Sequence, residues 1–98
     1  MPVPVWGSTV GRNAEEFALV ADRLESAGVR AIEINLSCPN LESGKMFALD
    51  PIAVAEVVRA VRAATSLPIG AKLTPNSEDL VSVAAAAAEA GTDWVVLG

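Results

Sequence analysis

Apolar positions along this chain follow two rhythms in turn. Short apolar runs come first: Val3 to Trp6, Ala31 to Leu36, Ile69 to Leu73 and Trp94 to Leu97 each read as a strand. Between them apolar residues recur every three or four positions. Phe17, Val20, Ala21 and Leu24 make one helical stripe, Val54, Val57, Val58 and Val61 a second, and Leu80, Val83, Ala84 and Ala87 a third. The alanine run from Ala84 to Ala88 reads as part of a tightly packed helix.

The punctuation agrees with these boundaries. Asn13, with Glu16 three residues on, offers a helix N-cap, and Gly28 a left-handed stop. Asp50 followed by Pro51 caps and opens the second helix, and Asn76 with Asp79 starts the third, which Gly91 ends. Gly7 to Gly11 is a small-residue stretch that reads as the first strand turning into a loop.

The resulting order, β, α, β, α, β, α, β, demands parallel pairing through crossover helices. Two architectures satisfy it, a doubly wound sheet and a (β/α)8 barrel. A complete barrel takes about 250 residues. The 98 residues here therefore predict a single partial α/β unit, 1–98, cut at both ends, with Gly98 directly after an apolar strand. The segment from Ser37 to Asp50 is the longest connection, and it follows a strand. In both architectures ligands bind at the C-terminal strand ends, so that loop is the expected site.

Composition narrows the chemistry. A net charge of -5, from 12 acidic and 7 basic residues without a basic cluster, argues against a nucleic-acid partner. The single cysteine forms no internal disulfide, and the absence of histidine removes the usual zinc ligand sets and any Ser/His/Asp triad. No metal site is expected. The N-terminal residues Met1 to Trp6 lack the pattern of a secretory signal, and Val81 to Ala88 is too short to span a membrane. A soluble protein of the reducing cytoplasm fits these features. Gly7 and Gly11 match neither a dinucleotide fingerprint nor a P-loop, so the chain carries no phosphate cradle of its own.

Asn35, Ser37, Cys38, Asn40 and Lys72 fall at or just beyond strand ends. Alternation along Ala31 to Leu36 puts Glu33 and Asn35 on one face, and two polar residues in an apolar strand suggest a polar ligand or internal partners there. A lone cysteine is most often a small buried hydrophobe. Cys38, however, sits on a loop between Ser37 and Pro39, and a thiol with a reference pKa of about 8.5 becomes a competent base where its surroundings favour the thiolate. Lys72 reads either as a lysine snorkelling from a barrel rim or as a fixed cation able to stabilise an electron-rich ring. Arg12 and Lys45 read as solvated.

Three motifs carry a resemblance. Ile32-Glu-Ile-Asn-Leu-Ser-Cys-Pro-Asn40, Phe47-Ala-Leu-Asp-Pro51 and Ala71-Lys-Leu-Thr-Pro-Asn76 resemble the dihydroorotate dehydrogenase family across essentially the whole chain. The resemblance implies a (β/α)8 barrel binding FMN at its strand C-termini, with this chain supplying strands three to six. A cysteine in the motif is similar to the soluble class 1 enzymes. Cys38 is then expected to act as the general base, removing a proton from C5 of dihydroorotate while hydride leaves C6 for the flavin, giving orotate for pyrimidine (UMP) biosynthesis.

The same resemblance makes Asn35 a contact of both FMN and substrate, Asn40 a substrate contact, and Lys72 a flavin contact. Ser8 stands where relatives often carry a flavin-contacting asparagine, and Gly98 where a main-chain flavin contact is expected. Class 1 relatives use fumarate, or NAD through a partner electron-transfer subunit carrying FAD and iron–sulfur; Glu42-Ser-Gly-Lys-Met-Phe47 looks more like the NAD-linked form. A homodimer is a further partner consistent with the resemblance. The competing expectations are the pyrimidine-reducing barrel of dihydropyrimidine dehydrogenase, against which Asn40 argues, and a partial barrel that is inert when isolated.

Overall fold

The computed structural model describes residues 6–37, 47, 50–74 and 80–97. Its elements alternate as the periodicity requires: β1 (Trp6–Thr9), α1 (Ala14–Ser26), β2 (Ala31–Asn35), α2 (Pro51–Ala64), β3 (Ile69–Leu73), α3 (Leu80–Ala90) and β4 (Trp94–Leu97). The strands form one parallel sheet in the order β1-β2-β3-β4.

That order decides between the two architectures. A doubly wound sheet reverses its strand order at a switch point and carries helices on both faces. Here the order runs monotonically, and one face of the sheet buries Ile32, Ile34, Ile69, Ala71 and Leu73 in a common core with Phe17, Val57, Val61, Val83 and Ala87 of the helices. The fold is α/β of the (β/α)8 barrel type. Residues 6, 8, 33, 35, 70, 72 and 94 occupy the opposite, concave face.

The helices form where the stripes place them. Val54, Val57, Val58 and Val61 are all buried, each stabilising the packed state by about 1.5–3 kcal/mol. Asn13 caps α1 by accepting the Glu16 N–H at 2.9 Å, and Asp50 caps α2 by accepting the Ile52 and Ala53 N–H groups at 3.0 and 3.4 Å. Gly28 and Gly91 follow their helices at φ 94° and 120°, a conformation that side chains resist. In the alanine run only one face packs: Ala87 is buried while Ala85 and Ala88 are exposed. The start of α3 at Asn76 lies outside the described residues.

The first strand corrects the expectation. Trp6–Thr9 is strand, so Gly7, Ser8 and Thr9 belong to the sheet and not to a loop. Their placement is tertiary in origin. A Cβ on Gly7 would meet Leu24 Cδ1 at 2.9 Å, so the bare backbone lets α1 lie close, and the Thr9 hydroxyl donates to the Phe17 carbonyl at 2.7 Å. Glu16 also departs from the reciprocal cap. Its carboxylate turns instead to Arg12, accepting from the Arg12 backbone N–H at 3.0 Å and from its guanidinium at 2.9 Å.

Polar ties hold the end of the sheet where the strands begin. Glu25 of α1 accepts from Thr65 Oγ1 at 2.8 Å and from the Ser66 backbone and hydroxyl at 3.0 and 3.1 Å. Asp93 accepts the Ile69 N–H at 2.9 Å, while the Arg62 guanidinium donates to the Thr65 and Leu67 carbonyls at 2.9 and 2.6 Å. These contacts fix the α2–β3 turn and the start of β4, leaving the opposite strand ends to chemistry.

Candidate functional site

Parallel register sorts the concave face into rows. Ser8, Glu33, Gly70 and Trp94 are successive partners in one row; Asn35, Lys72 and Val96 form the next, nearer the C-terminal strand ends. In such a sheet the upper row faces whatever binds above it.

Asn35 and Lys72 are therefore direct neighbours across β2 and β3, both half-buried. Asn35 ends its strand by accepting the Ser37 N–H on Oδ1 at 3.1 Å, an Asx turn that leaves its amide N–H groups free to donate. The Leu36 N–H donates to the Lys72 carbonyl at 3.2 Å, prolonging the ladder into that turn. Lys72 is the penultimate residue of β3, one position short of a rim, and has no ion-pair partner among the described residues. An ammonium with no ion-pair partner among the described residues, beside an amide donor, can attract an electron-rich or anionic ligand.

Ser8 is exposed on the same face, one row lower and on the strand beyond Asn35. Cys38, Asn40 and Gly98 lie outside the described residues. Phe47 closes the chain between β2 and α2 onto the core, its ring meeting Phe17 edge-on with centroids 5.2 Å apart. The described residues on either side of Cys38 are thus the Asn35 turn, ending at Ser37, and Phe47 in the core.

The lower row holds features that sequence reading did not connect. Trp94 reaches across Gly70, where an added Cβ would fall inside its indole, and meets Trp6 with ring centroids 5.2 Å apart. The Trp94 Nε1 is buried and has no hydrogen-bond partner among the described residues. Glu33 is the other register partner of Gly70, on the same row as Trp94. The available signal was Gly70 itself, since a glycine inside an apolar strand marks a close approach; which side chain approaches is set by register.

Charged groups whose titration departs from the ordinary lie away from these rows. Hydrogen bonds from Thr65 and Ser66 hold the Glu25 carboxyl below the usual carboxylate range, and Arg12 does the same for Glu16.

A family model described as dihydroorotate dehydrogenase matches residues 1–97. Among curated relatives, dihydroorotate dehydrogenase A (fumarate) of Lacticaseibacillus paracasei is 45% identical over 97 residues, covering 97% of this chain and 33% of that protein. The catalytic subunits of dihydroorotate dehydrogenase B (NAD(+)) from Desulforudis audaxviator and Geobacter sp. strain M21 are 46% and 48% identical, over 97% and 96% of this chain and 32% of each relative. The chain spans about a third of the length of these relatives. Among solved structures, the carboxyl transferase domain of Rhizobium etli pyruvate carboxylase superposes with a TM-score of 0.72 at 25% identity, over 93% of this chain and 16% of that one.

Proposed function

Because this chain belongs to the dihydroorotate dehydrogenase family, we propose that it supplies the middle strands of a barrel that oxidises dihydroorotate to orotate with FMN, in pyrimidine biosynthesis. The observation that carries this reading is the pairing of Asn35 with Lys72 on the concave face, at the strand end that Cys38 follows in the sequence.

The donor set fits a flavin ring. Lys72 and the Asn35 amide present positive charge and N–H groups side by side, suited to the oxygen- and nitrogen-rich pyrimidine edge of an isoalloxazine. Ser8 would add a hydroxyl from the neighbouring strand and Gly98 a main-chain contact. FMN, when bound, supplies the acceptor for the hydride that leaves C6 of dihydroorotate.

The chain's own residues do the rest. Cys38 takes the C5 proton as its C–H electron pair becomes the new C5–C6 double bond, and a thiolate suits this work near neutrality. Asn35 and Asn40 orient the substrate, their amides matching both its imide and its carboxylate. Lys72 offsets the negative charge that the transferred electrons bring to the ring. A bound flavin would pass its electrons to NAD through an electron-transfer subunit, a choice supported by the resemblance of Glu42 to Phe47 to the NAD-linked form.

The activity belongs to a closed barrel. Among the described residues β1 and β4 each have a single strand neighbour, and Trp6 and Leu97 are 59% and 56% exposed. Residues 1–98 alone would leave these edges and apolar faces open and bind no FMN. A cytoplasmic location accords with the chemistry, and among the described residues no helix is long and apolar enough to cross a membrane.

Product analysis of the full-length barrel carrying this segment tests the reading. Orotate should form from dihydroorotate, faster with NAD and the partner subunit than with fumarate. Uracil reduction without dihydroorotate oxidation would place the segment in a pyrimidine-reducing barrel instead.

A further inference from the structure

We propose that Glu33 is a positioning residue beneath the ligand row, its carboxylate accepting the Trp94 indole N–H on one side and holding the Lys72 ammonium on the other. The Lys72 half of this assignment rests on the flavin reading above; the Trp94 half does not.

Three observations converge on Glu33. The first is an orphan donor: Trp94 Nε1 is buried without a hydrogen-bond partner among the described residues, and a buried N–H left unpaired is costly enough that native proteins nearly always supply an acceptor. The second is space. Gly70 is the register partner of both Glu33 and Trp94, and because it has no side chain the indole lies across β3 in the row that Glu33 enters from β2. Trp94 extends far enough to meet Trp6 of β1, and Glu33 stands on the row of Trp94, on the other side of Gly70.

The third is charge. Glu33 is half-buried on the concave face and has no hydrogen-bond or ion-pair partner among the described residues. Lys72, on the neighbouring strand, stands two positions beyond Gly70 and has none either. Residues offset by two on adjacent strands share a face, and both of these side chains are long enough to meet. Two opposite charges, each half-buried on one face of the sheet, compensate one another when paired. Ser8 is the remaining polar group of the row and carries no charge. Asn35 is the less suited acceptor, since it stands one row above the indole and its Oδ1 already accepts the Ser37 N–H at 3.1 Å.

With Glu33 below it, Lys72 is held upright toward the ligand instead of folding down along the lumen. The expected signatures therefore fall on two separate groups, the indole and the flavin.

The test uses the full-length barrel with Glu33→Gln, Glu33→Ala, Trp94→Phe and Lys72→Met variants. The indole N–H resonance of Trp94, identified by its loss in Trp94→Phe, should move upfield in Glu33→Ala and move less in Glu33→Gln, which keeps an acceptor oxygen. In the FMN-loaded barrel, Glu33→Gln should shift the flavin midpoint potential downward, because Lys72 is no longer held toward the ring, and this downward shift should be lost in the Lys72→Met background. An indole resonance unmoved by Glu33→Ala overturns the proposal, as does a potential shift of equal size with and without Lys72. Failure to bind FMN would sink the flavin reading, while the indole measurement would still decide the Trp94 contact on the apo barrel.

Discussion

Trp6 and Trp94, from the two outermost strands of the sheet, meet over the two strands between them with ring centroids 5.2 Å apart and planes inclined at 52°. The contact exists because Gly70 presents no side chain on that face. It forms an aromatic floor below Asn35 and Lys72, with Trp94 one row and Trp6 two rows down.

Gly70→Ala should therefore destabilise the barrel by overpacking, by about 1–3 kcal/mol, since the new methyl group would have to displace the Trp94 ring. Denaturant unfolding measures it. Combined with Trp94→Ala, the same substitution should cost much less than it does alone, a non-additivity expected of residues that share one space.

This floor marks the boundary of what the sequence could reveal. The valine stripe of α2, the caps Asn13 and Asp50 and the turn glycine Gly28 were legible because each acts within a few residues of itself. The strand from Gly7 to Thr9 was not, because small residues there serve Leu24 and the Phe17 carbonyl, partners eight or more positions away. Likewise the polar face shared by Glu33 and Asn35 followed from alternation alone, whereas the juxtaposition of Asn35 with Lys72 and of Gly70 with Trp94 depends on register between strands.

Asp50 links the cysteine loop to α2, and its side chain accepts two N–H groups of the first helical turn. Asp50→Ala should cost about 0.5–2 kcal/mol, the usual penalty for a lost N-cap. Thermal unfolding would register it, and Asp50→Ser should recover most of the loss.

Glu25 makes stability depend on pH in the acid range. Its folded-state pKa is lowered from 4.5 by hydrogen bonds from Thr65 and Ser66, so its contribution is fully present above 4.5 and disappears as pH falls through the lower folded value. Glu25→Ala should melt below the parent at neutral pH, and the gap should close on acidification. A gap that persists unchanged through the acid range would contradict the assigned hydrogen bonds.

The most direct test of the proposed activity is the rate of flavin bleaching when the FMN-loaded, full-length barrel is mixed with dihydroorotate without oxygen. The account predicts rapid bleaching in the parent; in Cys38→Ser it predicts retained flavin, reduction slower by orders of magnitude and a pH dependence displaced upward, as loss of a thiolate base requires. Bleaching at the parental rate in Cys38→Ser, or none in the parent, would contradict it.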